Sequence, residues 1–474
     1  MATGARVVGV TALVLVLGLG GYVAADAYDV VPGFVTLDPV PPEAAPFPSA
    51  PGAVDAPEVT PALGELDAEA PEPATDPVAT LVDKLASDSR LGENGATGVV
   101  VADQLTGEVI AERRSTTPRE PASTAKLVTA VAALGTLDSS TTLTTSVVRG
   151  SGDEVVLVGG GDMMLAPDAG DAAVVNGRAG LGDLARAAAK QLRLVGLTKV
   201  TLRVDDTLFT GPRTSPGWDE GDLNLGYVAP VTALAVKIAA TKDGVPYPPR
   251  YPDPTIAAAK VFAQRLAEAG IQVTGDPSRG TAPAGATVLA TVSSAPLPEL
   301  VHFFLEDSDN TITEVVSRVV ALDQQLPASF EGGTQAVLRA VTRLGVDTKD
   351  AVLADASGLA EGSQLTPATL LDLVELVVDP EHPELRSIAA GMPIGGLTGT
   401  LGDRYLTSDA RGLVRAKTGS LSGVKGLAGT LVDDNGRQLV FVVLVKHEKE
   451  TGPFGPRQAI DEFVTNLHAC SCTS

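Results

Sequence analysis

Apolar and polar positions follow several rhythms along this chain, and each rhythm predicts a different kind of structure. Residues 7–25 are uncharged and almost wholly apolar, with Arg6 just before them. A run of that length is about enough to cross a bilayer, and it also fits an export signal with Ala25-Asp26-Ala27 as a small-x-small cleavage site. In residues 31–77 prolines recur every few positions with Ala, Glu and Asp between them. Such sequence buries too little apolar surface to offset chain ordering, so it is expected to be an extended tether. From residue 78 the pattern becomes globular. Residues 97–103 and 107–112 are β-rich runs joined by a short turn, which predicts a hairpin. Residues 126–134 are then strongly apolar, as a buried helix would be.

The middle of the chain mixes periods. Strands are predicted at 154–159, 200–205 and 285–290, and helices at 181–194 and 257–270, so 145–285 reads as an inserted domain of mixed α/β character. Beyond residue 308 the pattern is helical, over 312–322, 333–344 and 368–378. Two strands follow at 425–432 and 438–446, with Asp434-Asn435-Gly436 as the hairpin turn between them. A terminal helix is predicted over 458–467. The organisation is therefore a signal or anchor (1–27), a tether (28–77), and a main body split into 78–144 and 286–474 around 145–285.

Charge and cysteine content narrow the function classes. Lys and Arg number 35 against 58 Asp and Glu, a formal net charge of -23. So acidic a chain repels phosphates, which excludes nucleic acid as a partner. The only cysteines, Cys470 and Cys472, lie at the very end, which excludes a disulfide scaffold and most zinc sites. The pair reads as a strained disulfide, an intermolecular link or idle thiols in a frayed tail, the last somewhat ahead. The four histidines are scattered without ligand spacing and read as structural or surface residues. No metal or cofactor is expected.

Three short motifs carry the candidate chemistry: Ser123-Thr124-Ala125-Lys126, Ser308-Asp309-Asn310 and Lys417-Thr418-Gly419-Ser420. Each alone is weak, and Ser422-Gly423-Val424-Lys425 is a chance match to the first. Their co-occurrence in this order is specific. Ser123 is predicted at the start of the 126–134 helix, with Lys126 one turn further on the same face. A serine hydroxyl is a poor nucleophile until a base takes its proton. Lys126 can do so when neutral, and desolvation plus the neighbouring Lys417 would lower its pKa. The set is a complete acyl-transfer machine without histidine or metal.

With these motifs and with Gly217-Trp218, Tyr227-Val228-Ala229-Pro230, Asp355-Ala356-Ser357-Gly358-Leu359 and Gly399-Thr400-Leu401, the chain resembles the penicillin-recognising serine enzymes. Within them it is similar to the D-alanyl-D-alanine carboxypeptidase/endopeptidase family, the class C low-molecular-mass penicillin-binding proteins, over about 78–467. The resemblance implies an α/β (α+β) penicillin-binding/β-lactamase-like transpeptidase fold: an antiparallel sheet flanked by helices, with an inserted α/β domain. It implies that Ser123 attacks a D-Ala–D-Ala peptide of peptidoglycan and forms an acyl-enzyme, and that β-lactams acylate the same serine. Ser308, backed by Lys417, would pass a proton to the leaving amine. Asn310 would hydrogen-bond the substrate backbone, Thr418 and Ser420 would hold the terminal carboxylate, and Gly419 would let the strand approach the substrate. Backbone N–H groups of Ser123 and Ser420 would form the oxyanion hole. The implied location is extracytoplasmic, in a bacterial cell envelope, with the membrane touched only through the N-terminal segment.

Two positions bear on specificity. Asp222 stands where the family places an acid that meets a diamino-acid amine, and it equally reads as a solvated loop residue. Glu361 stands where relatives often carry arginine for that side chain's carboxylate, so an amidated substrate is expected to be preferred. The alternatives are a serine β-lactamase or esterase on the same scaffold, and a tethered wall-binding protein with a decayed site.

Overall fold

The computed structural model describes residues 19–28, 30–31, 69–92, 96–449 and 452–470. Residues 1–18 of the apolar N-terminal run and 32–68 of the proline-rich segment lie outside the described residues, so the signal, anchor and tether expectations fall largely there. Among the described residues no helix is long and apolar enough to cross a membrane. The chain forms two units, Met1–Glu65 and Leu66–Ser474, and the second holds all that follows.

The predicted hairpin is present as β1 (Ala96–Asp103) and β2 (Val109–Arg113), paired antiparallel. Seven of the eight β1 residues are buried, so this strand must be covered on both faces. The alternation of its side chains decides by what. Val100 and Ala102 join one apolar cluster, while Val99 and Val101 join another on the opposite face. A 3₁₀ turn, Ala122–Ala125, then runs into the helix Lys126–Leu134, every residue of which is buried.

A second sheet follows, with β3 (Thr144–Arg149), β4 (Glu154–Val158), β5 (Lys199–Asp205), β6 (Gln272–Val273), β7 (Ser278–Arg279) and β8 (Val288–Ser293). Its order is β6-β5-β4-β3-β8, with β7 also on β5. Because β4 and β5 are parallel, the chain must cross over between them, and the helix Leu181–Leu194 makes that crossing. Together with the helix Pro254–Glu268 it closes a separate core around Leu157, Leu184, Val204 and Phe262.

The chain then returns to the first sheet. Strands β9 (Val414–Leu421), β10 (Val424–Val432) and β11 (Gln438–Lys446) complete the antiparallel order β2-β1-β11-β10-β9. Residue Ala96 pairs with Lys446, and β9 is left at the edge. On one face lie Lys126–Leu134 and the helices Leu297–Glu306, Asn310–Asp323, Phe330–Arg343 and Pro367–Val378. Thr75–Ala86 and Phe454–His468 cover the other. The fold is thus a helix–sheet–helix sandwich of the expected kind.

Most expected elements stand within a few residues of their predicted places. The strand expected at 285–290 forms at Val288–Ser293, and the last helix begins four residues early, at Phe454. The Asp434-Asn435-Gly436 turn joins β10 to β11, with Gly436 at φ 86°. One reading is corrected: Cys470 is disulfide-bonded rather than idle, and Cys472 lies outside the described residues.

Candidate active site

The three motifs come from three separate elements and meet at one cleft of about 650 Å³. Ser123 lies in the 3₁₀ turn that leads into the helix Lys126–Leu134. Ser308 lies in the short link between Leu297–Glu306 and Asn310–Asp323, where Asp309 caps the second helix by accepting from the Ile312 N–H at 2.7 Å. Lys417 to Ser420 lie on the edge strand β9. Ser123, Ser308, Asn310, Thr418, Gly419 and Ser420 all line the cleft. The two motif lysines stand behind the serines and are fully buried.

Each serine is matched to its own lysine. Lys126 Nζ lies 3.0 Å from Ser123 Oγ, and Lys417 Nζ lies 3.0 Å from Ser308 Oγ. Lys126 also donates to Asn310 Oδ1 at 2.6 Å and to the Ser357 carbonyl at 2.8 Å. Burial lowers its pKa to about 8. Burial pushes Lys417 well below its ordinary value too, and the charge of Lys126 adds to the effect. Two buried ammonium groups cannot both be held here at low cost.

The backbone around the serines is under strain. Ala122, just before Ser123, has φ 47°, and Ser308 itself has φ 56°. Non-glycine residues adopt this region at a cost of about 1–3 kcal/mol, and such positions concentrate at functional sites. Two glycines allow the elements to close up. A Cβ on Gly358 would fall 2.0 Å from the Ala122 carbonyl, and one on Gly419 would fall 2.6 Å from that of Pro121. The close approach at Gly419 is thus to the turn carrying Ser123.

A buried polar layer fixes this geometry, and the motif pattern did not reveal it. Glu314 Oε1 accepts from the N–H groups of both Ala356 and Ser357, at 2.9 Å each. Arg318 Nη1 lies 3.4 Å from Glu314 Oε2, and its guanidinium stacks 4.1 Å from the Phe330 ring centre. Burial raises the Glu314 pKa to about 8. Asp355 accepts from Trp218 Nε1 at 2.7 Å and from the Gly358 and Ala360 N–H groups. The loop bearing the Ser357 carbonyl is therefore tied at both ends. A sequence signal existed: Glu314 and Arg318 stand four apart on the apolar face of a helix.

The remaining sequence candidates separate. Asp222 lines the cleft, and its carboxylate also accepts from the Asp219 N–H, bracing a short helix. Burial raises its pKa, helped by Asp219, Asp355 and Glu361. Glu361 is exposed and is not among the lining residues, so a direct substrate contact there lacks support. Both ends of the Asn310 amide are engaged by protein, Oδ1 by Lys126 and Nδ2 by the Tyr227 carbonyl at 2.9 Å. It is thus placed to orient the lysine, while the second N–H of its amide stays available to the cleft that it lines. Thr400 joins Thr418 by a 2.7 Å hydroxyl pair. Ser422 and Lys425, the chance match, straddle the β9–β10 turn, and Lys425 donates to Ser420 Oγ. A second cavity of about 530 Å³, beside Lys237, Tyr251 and Lys260, holds no motif residue.

Comparison with known proteins shows the family and the fold. The family described as D-Ala-D-Ala carboxypeptidase 3 (S13) matches residues 78–245 and 237–467. Carboxypeptidase DacB of Mycolicibacterium smegmatis is 36% identical over 472 residues, 98% of this chain and 97% of that protein. A carboxypeptidase of Mycobacterium tuberculosis is 36% identical over 420 residues, 84% of this chain and 88% of the relative. The crystal structure of penicillin binding protein 4 from Haemophilus influenzae superposes with a TM-score of 0.68 at 24% identity, covering 84% of this chain and 99% of that one. The same protein complexed with a novel beta-lactam gives 0.63 at 25% identity, over 82% and 98%.

Proposed function

The chain belongs to the D-Ala-D-Ala carboxypeptidase 3 (S13) family, serine peptidases of the cell wall, and on that footing we propose how its residues divide the reaction. The enzyme is a serine-type D-Ala-D-Ala carboxypeptidase; Ser123 is its nucleophile and Lys126 its base. The single observation that carries this is the triple engagement of Lys126 Nζ. A neutral amine has two N–H groups and one lone pair. With the N–H groups spent on Asn310 Oδ1 and the Ser357 carbonyl, the lone pair is left for the Ser123 hydroxyl.

In the first step Ser123 Oγ bonds to the carbonyl carbon of the penultimate D-Ala while its proton passes to Lys126. The amide C–N bond then breaks. Ser308, with Lys417 Nζ behind it, relays a proton to the departing D-Ala amine. Water hydrolyses the resulting ester, restoring Ser123 and releasing the shortened peptide. Ser123 begins a helical turn, so its N–H is one of the donors such a start leaves free. With the N–H of Ser420 it would stabilise the oxyanion, usually the largest catalytic contribution. The edge of β9 suits an extended peptide added as a further strand, with its carboxylate at Thr418 and Ser420 and its diamino-acid amine near Asp222. β-Lactams would acylate Ser123, as the complex of the Haemophilus relative suggests. Residues 145–285 read as an inserted domain, supported by the second sheet and core, although that sheet also takes in β8 and residues such as Met163, Trp218 and Val228 pack into the core of the main body. Work on the cell wall is extracytoplasmic, and the residues before Ala70 read as the signal or anchor and its tether, since Ala70, Glu72 and the helix from Thr75 already belong to the main body.

Mass spectrometry after exposure to a labelled penicillin tests the assignment. One adduct on Ser123 is expected, and Ser123→Ala should lose both the adduct and D-Ala release. An adduct that persists in Ser123→Ala, or maps to Ser422, overturns it.

A further inference from the structure

The cleft continues past the residues assigned to the reaction. Beyond Thr418 and Ser420 its wall carries three cations, Lys425 on β10, Arg404, and Arg457 on the C-terminal helix, with Phe454 at the rim. Lys425 stands directly across from Ser420 in the β9–β10 register and donates to its hydroxyl. Arg404 is nearly buried and is held by Asp461 at 2.8 Å, while Arg457 Nη2 meets Asp403 at 2.9 Å. Among the described residues no carboxylate lies within ion-pair reach of Lys425. Burial and the positive charges of Arg457 and Arg404 lower its pKa. Three cations thus face two carboxylates in a chain whose net charge is -23.

Charge is sorted along this cleft. The charges that act on Asp222 are all acidic, namely Asp219, Asp355 and Glu361. Those acting on Lys425 are all basic. An amine-bearing part of a substrate is favoured at the first end and an anion at the second. A departing D-alanine brings one carboxylate, which Thr418 and Ser420 already take. The further positive charge has no use for so small a leaving group.

We propose that Lys425 and Arg457 form a second anion subsite, which takes a carboxylate carried by the leaving portion of the substrate. This rests on the reading of Ser123 as nucleophile and of Thr418 and Ser420 as the first carboxylate anchor. The ligand class is a leaving group larger than D-alanine: a D-configured amino acid, or the strand attached to it, bearing a second carboxylate beyond a short apolar stem. Phe454 is 72% exposed and offers that stem an apolar surface. Arg457 meets Asp403 through Nη2 and lies 4.0 Å from Asp461 through Nε, which leaves Nη1 of its fork for a ligand carboxylate, and Lys425 adds a point charge.

The test uses two peptides identical up to the scissile bond, whose leaving portions end in a free second carboxylate or in its amide. With the full-length enzyme, kcat/KM should favour the free carboxylate about tenfold, equivalent to about 1.4 kcal/mol, and added salt should shrink that preference. The Lys425→Met/Arg457→Gln double variant should bring the ratio to about one, while Arg457→Lys should retain part of it. A ratio unchanged in the double variant overturns the subsite, because the cations then serve only the first carboxylate. The same two peptides titrated against Ser123→Ala report binding without turnover. A preference that disappears in the double variant there supports the subsite even if the proposed chemistry fails, and equal affinities for the pair overturn it.

Discussion

The two sheets of this protein use polar side chains in opposite ways. Around β3 to β8 the ion pairs stay at the surface, with Arg203 meeting Glu154 at 3.1 Å and Arg279 meeting Asp253 at 2.8 Å, all four partly exposed, while among the described residues there only Asp162 and Asp205 turn a charge-bearing group inward. Around β9, the polar groups are driven inside: Lys126, Lys417, Glu314 and Asp355 are all fully buried. Exposed pairs gain little, because water solvates each partner well when apart. Buried polar groups are costly unless every lone pair and proton is matched. Matching them fixes distances, and a reaction between a serine and a lysine needs fixed distances. The first sheet thus gives up stability for geometry, and the pairs on the second make no such demand.

Substitutions that remove one side of this contrast should behave differently. The largest effect is expected from Lys126→Ala, which removes the proposed proton acceptor. Acylation by a labelled penicillin should slow by about a hundred- to ten-thousand-fold, and an unchanged rate would make Lys417 the base instead. Next come two core substitutions of similar cost. Glu314→Ala leaves two backbone N–H groups and Arg318 without their partner, and should destabilise by about 3–5 kcal/mol. Phe262→Ala opens a cavity in the second core and should also cost about 3–5 kcal/mol. Denaturant unfolding measures both. Only Glu314→Ala should slow acylation per folded molecule, since only it loosens the loop carrying the Ser357 carbonyl. Equal acylation rates in the two variants would abolish the distinction.

A smaller effect is expected from pH. In the proposed mechanism Lys126 acts as base only when neutral, and its pKa is lowered to about 8. Acylation should therefore rise with pH up to about 8 and flatten above, as a pH–rate profile of penicillin acylation will show. A profile flat from pH 6 to 10 would mean that no buried lysine titrates in the step. The smallest effect belongs to Arg279→Ala on the second sheet. It should change stability by no more than about 1 kcal/mol and leave acylation as it was, read by the same two assays.

Much of this was legible in the sequence, for physical reasons that differ by element. The hairpin β1–β2 and the helix Leu181–Leu194 announce themselves by period and turn residues, which are local. The motifs are local too, because Ser123 and Lys126 must share one helical face. That the three motifs meet was legible only through family resemblance, since no local rule brings Ser308 beside Lys417. What stayed hidden was the supporting layer. Glu314 is an ordinary glutamate until the loop at Ala356 and Ser357 folds onto it, and Asn310 shows its task only once Tyr227 arrives. Lys425 was dismissed as half of a chance Ser-x-x-Lys, and that was correct of the spacing. Its place opposite Ser420 depends on strand register, which spacing along the chain does not encode.

The pairing of β1 with β11 has a consequence for the time before the enzyme exists as an enzyme. Ala96 must wait for Lys446, so the central sheet closes only after nearly the whole chain is available. Contacts this distant in sequence form late in folding. Ser123 is made early, but the strand that presents Lys417 is held in place by β10 and β11, which come last. Until then the serine is an ordinary alcohol. A partly made or half-unfolded chain therefore carries no active acylating group, and the reactivity is switched on by completion of the fold.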